Sequence, residues 1–91
     1  MDNNKKPDMH DEQFERLVSC FNKVFRNLSP SDIPAANSNN ITAWDSIAQL
    51  TLLSVIGQEF GIDIDFEDFE GATSFAAILD LVRARTVNAQ P

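Results

Sequence analysis

The sequence has few of the residues that build catalytic or cross-linked sites. One cysteine among 91 residues excludes an internal disulfide framework and a multi-cysteine zinc site. One histidine leaves almost no room for a histidine-based catalytic centre or metal cluster. No run approaches the roughly 18 apolar residues of a membrane span, and residues 1–10 are too polar for a secretory signal. These absences favour a cytoplasmic binding or carrier module over an enzyme.

Basic residues are missing from most of the chain. Fourteen acidic and seven basic residues give a formal net charge of -7, and residues 27–82 hold nine acids and no lysine or arginine. A field of one sign disfavours nucleic acid and suits a partner with a basic surface. The hydrophobic fraction of 43% still allows a compact core. We expect one small monomeric domain.

Apolar residues recur at steps of three and four in three segments. The spacing predicts helices from about residue 11 to 28, from 45 to 60 and from about 74 to 85. Acidic and apolar residues alternate over 62–70, and we choose a short helix over 66–70 because a single strand would have no partner. Pro30 and Pro34 place a long loop at 29–44. The prediction is an all-α bundle of three main helices and one short helix, with a flexible leader (1–10), a domain (11–85) and a flexible tail (86–91).

The most informative short segment is Trp44-Asp45-Ser46-Ile47, where the second helix begins. The simplest interpretation is that Asp45 or Ser46 caps the helix. A helix start also offers free N–H groups and the positive end of the helix dipole, so a phosphate joined to Ser46 would be favourably placed. Metal binding by the acids of 63–70 is a weaker alternative, because the segment does not match a calcium loop.

This segment, with Gln58-Glu59-Phe60-Gly61-Ile62 and Thr73-Ser74-Phe75, resembles the acyl carrier protein family over about residues 12–85. The resemblance implies that Ser46 carries 4'-phosphopantetheine, transferred from coenzyme A by a phosphopantetheinyl transferase. The thiol of the arm would hold acyl groups as thioesters for enzymes of fatty-acid, polyketide or related lipid biosynthesis. The chain would be a substrate of these enzymes and not an enzyme itself.

The resemblance also suggests where partners dock. It implies that Asp45 helps the transferase to dock and that Ile47 is exposed at the partner surface. We expect Thr51, Glu67 and Asp68 to contribute to the same surface. The expected partners are the transferase and acyl-loading and acyl-transfer enzymes with basic docking surfaces.

Two departures from the family pattern shape the prediction. The exposed face of the second helix reads Ile47, Thr51, Ser54 and Gln58, which is uncharged, whereas the general fatty-acid carriers have acids there. Trp44 is also unusual before Asp-Ser, and we interpret it as an anchor for the long loop. The chain is therefore predicted to be a specialised carrier. Two alternatives remain open: an aminoacyl carrier of the D-alanyl type, and an unmodified acidic helical module that binds a basic partner.

Overall fold

The computed structural model describes residues 12–88, and in this range the chain forms helices and no strands. The elements in order are α1 (Glu12–Val24), a 3₁₀ turn (Ile33–Ala35), α2 (Ser46–Phe60), α3 (Phe66–Glu70) and α4 (Phe75–Asn88). The all-α prediction of three main helices and one short helix is confirmed. The leader lies outside the described residues, as do residues 89–91, and α4 continues three residues past the expected domain boundary at 85.

The buried stripe of α1 begins as predicted, but the helix ends earlier. Phe14, Leu17 and Phe21 are buried against the other helices. The predicted end at Leu28 was wrong, because the helix stops at Val24. The Leu28 N–H turns back to the Phe25 carbonyl at 3.1 Å, and the Leu28 carbonyl accepts from the Asn22 side chain at 2.9 Å. These two bonds close a turn where the apolar periodicity alone would continue the helix.

Both ends of α2 are fixed by local chemistry. The Asp45 side chain caps the helix by accepting from the Ala48 N–H at 2.9 Å. Gly61 ends the helix in the left-handed region, with φ of 64°, as glycine does without a steric penalty. The N–H groups of Gly61 and Ile62 both donate to the Gly57 carbonyl. The predicted second helix is thus confirmed.

Aromatic side chains form the centre of the core. Phe21 of α1 packs edge-on against Trp44 and Phe75, with ring centroids 5.4 and 5.2 Å apart. Trp44 also contacts Phe25 at 5.5 Å. Since such pairs add to the free energy of apolar burial, Trp44 holds the long loop against α1. Its predicted role as an anchor is confirmed.

The loop between α1 and α2, residues 25–45, is also fastened to the start of α4. The Ser38 N–H donates to the Thr73 carbonyl at 2.9 Å, and the Phe75 N–H donates to the Ala36 carbonyl at 3.0 Å. These bonds flank an isolated bridge between Asn37 and Ser74. These hydrogen bonds hold the loop that precedes Ser46 in a fixed position.

Two ion pairs join neighbouring helices. Arg16 of α1 binds the Glu59 carboxylate of α2 at 2.9 Å, and its guanidinium lies over the Phe60 ring at 4.9 Å. Arg85 of α4 binds the Asp68 carboxylate of α3 at 2.7 Å. No helix among residues 12–88 is long and apolar enough to cross a membrane.

Candidate functional site

Ser46 is the first residue of α2 and is exposed. Asp45 before it has extended backbone (φ -106°, ψ -170°), which turns the chain from the loop into the helix. The Asp45 carboxylate is directed toward the Ala48 N–H, one residue beyond Ile47. Among the described residues, the Ser46 hydroxyl has no hydrogen-bond partner, so it is open to an incoming reagent.

An open cavity of about 290 Å³ lies beside Ser46. Its lining combines the start of α2 with residues from the loop and from α3, among them Trp44, Ser46, Gln49, Leu50, Phe66 and Glu70. Because α3 packs on α2, Phe66 of α3 and Leu50 of α2 line the same cavity. We call it the Ser46 pocket.

A buried glutamine, Gln49, lines the Ser46 pocket. The Gln49 side chain accepts a hydrogen bond from the Trp44 indole N–H. Its amide group donates to the carbonyl oxygens of Phe69, at 2.7 Å, and Ala72, at 3.1 Å. Gln49 is 8% exposed and is the one buried polar residue among those described. It therefore ties the loop, α2 and the end of α3 together at the lining of the Ser46 pocket.

The sequence analysis missed Gln49, although a signal was present. Gln49 lies three residues before Leu52 and seven before Ile56, on the same helical stripe as these two core residues. A polar residue on an apolar stripe indicates a buried side chain with specific hydrogen-bond partners. The position of Gln49 on this stripe therefore indicates a buried polar side chain, which a search for apolar residues alone does not find.

Exposed apolar side chains concentrate around Ser46. Ile47 is 72% exposed, Leu50 51% and Phe66 46%, and these are the exposed large hydrophobic residues of the described range. Ile47 was predicted to face partners, and its exposure agrees with that prediction. Leu50 and Phe66 were not singled out, yet both line the Ser46 pocket.

The predicted docking residues occupy different surroundings. Asp45 and Ile47 flank Ser46 in sequence, and the exposed Thr51 follows one turn later, with its hydroxyl bonded to the Ile47 carbonyl at 3.0 Å. Glu67 and Asp68 are exposed on α3 but do not line the Ser46 pocket. The docking roles of all five residues stay predictions.

The acid of α3 that lines the Ser46 pocket is Glu70, which was not among the predicted docking residues. Glu70 lines the Ser46 pocket, whereas Asp68 is paired with Arg85. The single acid of α2, Glu59, is paired with Arg16 near the far end of that helix. Around Ser46, the start of α2 therefore has no acid after Asp45, whereas α3 and the segment before it present the exposed acids Asp63, Asp65, Glu67 and Glu70.

Other reactive groups are remote or absent in residues 12–88. Cys20 is completely buried in α1. Burial, and to a lesser extent the negative charge of Glu59, raises the pKa of the Cys20 thiol to about 11. A thiol with a raised pKa and no access to solvent is a poor nucleophile. The same range contains no group of three metal-binding side chains of the His, Cys, Asp or Glu type.

A comparison with known protein families connects this geometry to a chemistry. Residues 43–82 match a family described as the phosphopantetheine attachment site, whose members carry covalently attached 4'-phosphopantetheine. The matched segment includes Ser46, all of α2 and α3 and most of α4. No curated protein matches the chain in sequence. Residues 43–82, somewhat less than half of the chain, are therefore similar to the phosphopantetheine attachment-site family, in agreement with the resemblance of this chain to the acyl carrier proteins.

Proposed function

We propose that this protein is an acyl carrier protein that bears its 4'-phosphopantetheine arm on Ser46. The arm supplies a terminal thiol, which holds acyl groups as thioesters for enzymes of fatty-acid, polyketide or related lipid biosynthesis. The observation that supports this proposal is an exposed serine at the first position of α2, inside the segment that matches the attachment-site family. The proposed setting is the cytoplasm.

The residues around Ser46 fit a phosphodiester. The hydroxyl is exposed, and the positive end of the α2 dipole favours the negative charge that attachment would add. In the loading reaction the Ser46 oxygen attacks the pantetheine-bound phosphorus of coenzyme A. A new P–O bond forms, adenosine bisphosphate leaves with the electrons of the broken P–O bond, and the serine proton passes to a base on the transferase.

The surface chemistry supports a two-part docking surface. Ile47 offers an exposed apolar contact next to Ser46, while Glu67 on α3 offers negative charge. Asp45 at the N-cap of α2 and Thr51 on α2 are neighbours of Ile47 in sequence, and Asp68 follows Glu67 on α3. Partner enzymes would then combine an apolar spot for α2 with a basic patch for α3.

The test is loading in vitro. The apo protein is incubated with coenzyme A, Mg²⁺ and a transferase of broad specificity, and intact mass is measured. We expect a gain of one phosphopantetheine in the wild type and in Ser54→Ala, a control at another exposed serine of α2. Ser46→Ala should gain nothing. Failure of the wild type to gain mass, or an equal gain in Ser46→Ala, would contradict the proposal.

The cargo needs a separate measurement. Intact mass of the protein purified from its native host, before and after mild thioester cleavage, reports the group held on the arm. An acyl mass supports the proposed function, whereas an alanyl mass supports an aminoacyl carrier. Unmodified protein that still binds a basic partner would favour the helical interaction module.

A further inference from the structure

We propose that the Ser46 pocket is the seat of the pantoyl part of the arm, the unit next to the phosphate, and that Gln49 closes the way from this pocket into the core. The proposal rests on the function proposed above. It assigns Leu50 and Phe66 to the arm and leaves Ile47 to partner enzymes.

The lining of the Ser46 pocket includes two exposed apolar side chains. Leu50 and Phe66 are about half exposed although both are large and apolar, and both line a cavity of about 290 Å³. Ser46 itself belongs to the lining. A group attached to the Ser46 oxygen therefore starts at the edge of an apolar cavity, and burying it there would remove the exposed parts of Leu50 and Phe66 from water.

The chemistry of the arm matches this lining in order. Directly after the phosphate the pantoyl unit has a quaternary carbon with two methyl groups, followed by a hydroxyl and an amide. The methyl groups suit Leu50 and Phe66. The rim of the pocket has side-chain oxygens on Ser38, Thr73 and Glu70, which can accept from the hydroxyl and amide of the arm. The pocket thus offers apolar contacts first and hydrogen-bond partners next.

Gln49 blocks the path from the pocket into the core, so the arm lies along the surface. Gln49 spans the seam between α2 and α3, with its side chain bonded to the Phe69 and Ala72 carbonyls and to the Trp44 indole. Phe69 and Leu52 are completely buried in the same region. Entry into the core would break these three hydrogen bonds and leave buried polar groups unpaired, which is unfavourable. The arm therefore stays in the surface pocket.

Ile47 provides a matched control for this assignment. It is an exposed apolar residue on the same helix, one position after Ser46, but it does not line the pocket. Ile47 and Leu50 consequently separate two roles that exposure alone would not distinguish. Truncating Leu50 should affect the arm, and truncating Ile47 should affect only what docks from outside.

The experiment uses NMR on the full chain after loading with isotope-labelled arm, confirmed by intact mass. We expect nuclear Overhauser effects (NOEs) between the pantoyl methyl protons and the ring protons of Phe66 and Trp44. The NOEs to the Trp44 ring, a ring that all three variants keep, should be lost in Leu50→Ala and Phe66→Ala and kept in Ile47→Ala. Full loading of each variant is verified by mass, so loss of the signals reports the seat of the arm and not the loading reaction.

The outcomes separate this inference from the proposed function. Loaded protein whose pantoyl methyl groups show no contact with the pocket, or contact Leu52 and Ile56 in the core, overturns the inference and leaves the carrier function standing. Equal loss of the signals in Ile47→Ala also overturns it, because the matched control would then not differ from Leu50→Ala. A wild-type protein that cannot be loaded at Ser46 overturns both.

Discussion

The side chain of Gln49 makes hydrogen bonds to three polar groups that would otherwise need water as their partner. Its partners are the Trp44 indole and the carbonyl groups of Phe69 and Ala72. Because buried polar groups without partners are costly, this side chain fixes the position of α3 relative to α2 more firmly than apolar contact alone would. The shape of the Ser46 pocket depends on that position.

The residue-scale prediction for stability concerns Gln49→Ala. The substitution leaves the Trp44 N–H and the Phe69 and Ala72 carbonyls without their partner, so we expect the free energy of unfolding to fall by about 2–3 kcal/mol. Urea unfolding followed by far-UV circular dichroism measures it. Gln58→Ala, at an exposed position of the same helix, should change it by less than about 0.5 kcal/mol. Equal effects of the two substitutions would contradict the importance of the hydrogen bonds.

A second residue-scale prediction concerns pH. Burial raises the pKa of the Cys20 thiol from 9.0 to about 11. The unfolded chain therefore loses this proton at lower pH than the folded chain does. The stabilising contribution is complete below pH 9 and is lost as the pH rises toward 11.

The measurement for Cys20 compares unfolding free energies of the wild type and Cys20→Ala between pH 8 and pH 11. The wild type should lose about 2 kcal/mol more than the variant over this range. Cys20→Ala is less stable at every pH because it leaves a cavity, but its pH dependence should be shallower. Parallel curves would show that the thiol titrates alike in both states.

At the scale of elements, α2 shows how local signals define a helix that then carries a site. Asp45 starts it and Gly61 ends it, and the sequence contained both signals. A side-chain carbon added to Gly57, within the helix, would meet the Ile62 carbonyl oxygen at 3.4 Å, the edge of ordinary contact. Gly61 is therefore required for its backbone conformation, whereas the helical position of Gly57 has room for a side-chain carbon.

The element-scale prediction is a set of three glycine substitutions. Gly57→Ala should raise the free energy of unfolding by about 0.5–1 kcal/mol, because alanine favours the helix and nothing blocks its methyl group. Gly61→Ala should lower it by about 1 kcal/mol, because its φ of 64° strains any other residue. Gly71→Ala, with open space and φ of -82°, should change little. Thermal and urea unfolding check the order, and a destabilised Gly57→Ala would show that the approach of Ile62 cannot relax.

The sequence predicted the helices better than it predicted the site. α3 was predicted with its observed bounds of Phe66–Glu70, because a single strand over this alternating segment would have had no partner. The end of α1 was not predictable from periodicity, since Leu28 continues the apolar stripe although the chain has already turned. The Ser46 pocket was not predictable either. Leu50 and Phe66 line the same pocket only through the packing of α3 on α2, which no local pattern encodes.

Across the whole molecule, the basic residues lie outside residues 27–82, and some of them meet acids in ion pairs between helices. Two of the arginines outside residues 27–82 pair with acids inside that range, Arg16 with Glu59 and Arg85 with Asp68. The remaining acids of α3 and of the segment before it are exposed. The apolar start of α2 thus stands next to an acidic α3, and a partner would meet both at once.

The whole-molecule prediction concerns loading by the transferase as salt is raised. The kcat/KM should fall several-fold between about 0.05 and about 0.5 M salt, because screening weakens attraction between exposed charges. Glu67→Lys should lower kcat/KM and flatten this dependence, whereas Ile47→Ala should lower it without changing the slope. Glu15→Lys, at an exposed acid of α1, is the matched control and should lower it less than Glu67→Lys. A salt slope in Glu67→Lys equal to that of the wild type would argue against an acidic docking surface on α3.

The burial of Cys20 also decides what oxidation can do to a loaded carrier. A disulfide requires two sulfur atoms about 2 Å apart, and the only sulfhydryl of the chain itself is sealed among the core side chains of α1. An oxidised arm could not close a ring onto its own protein. It would couple to the arm of a second copy or to a small thiol, and a reductant would restore it without any refolding. Disulfide formation at the arm would therefore be a reversible loss of carrier capacity and not a loss of fold.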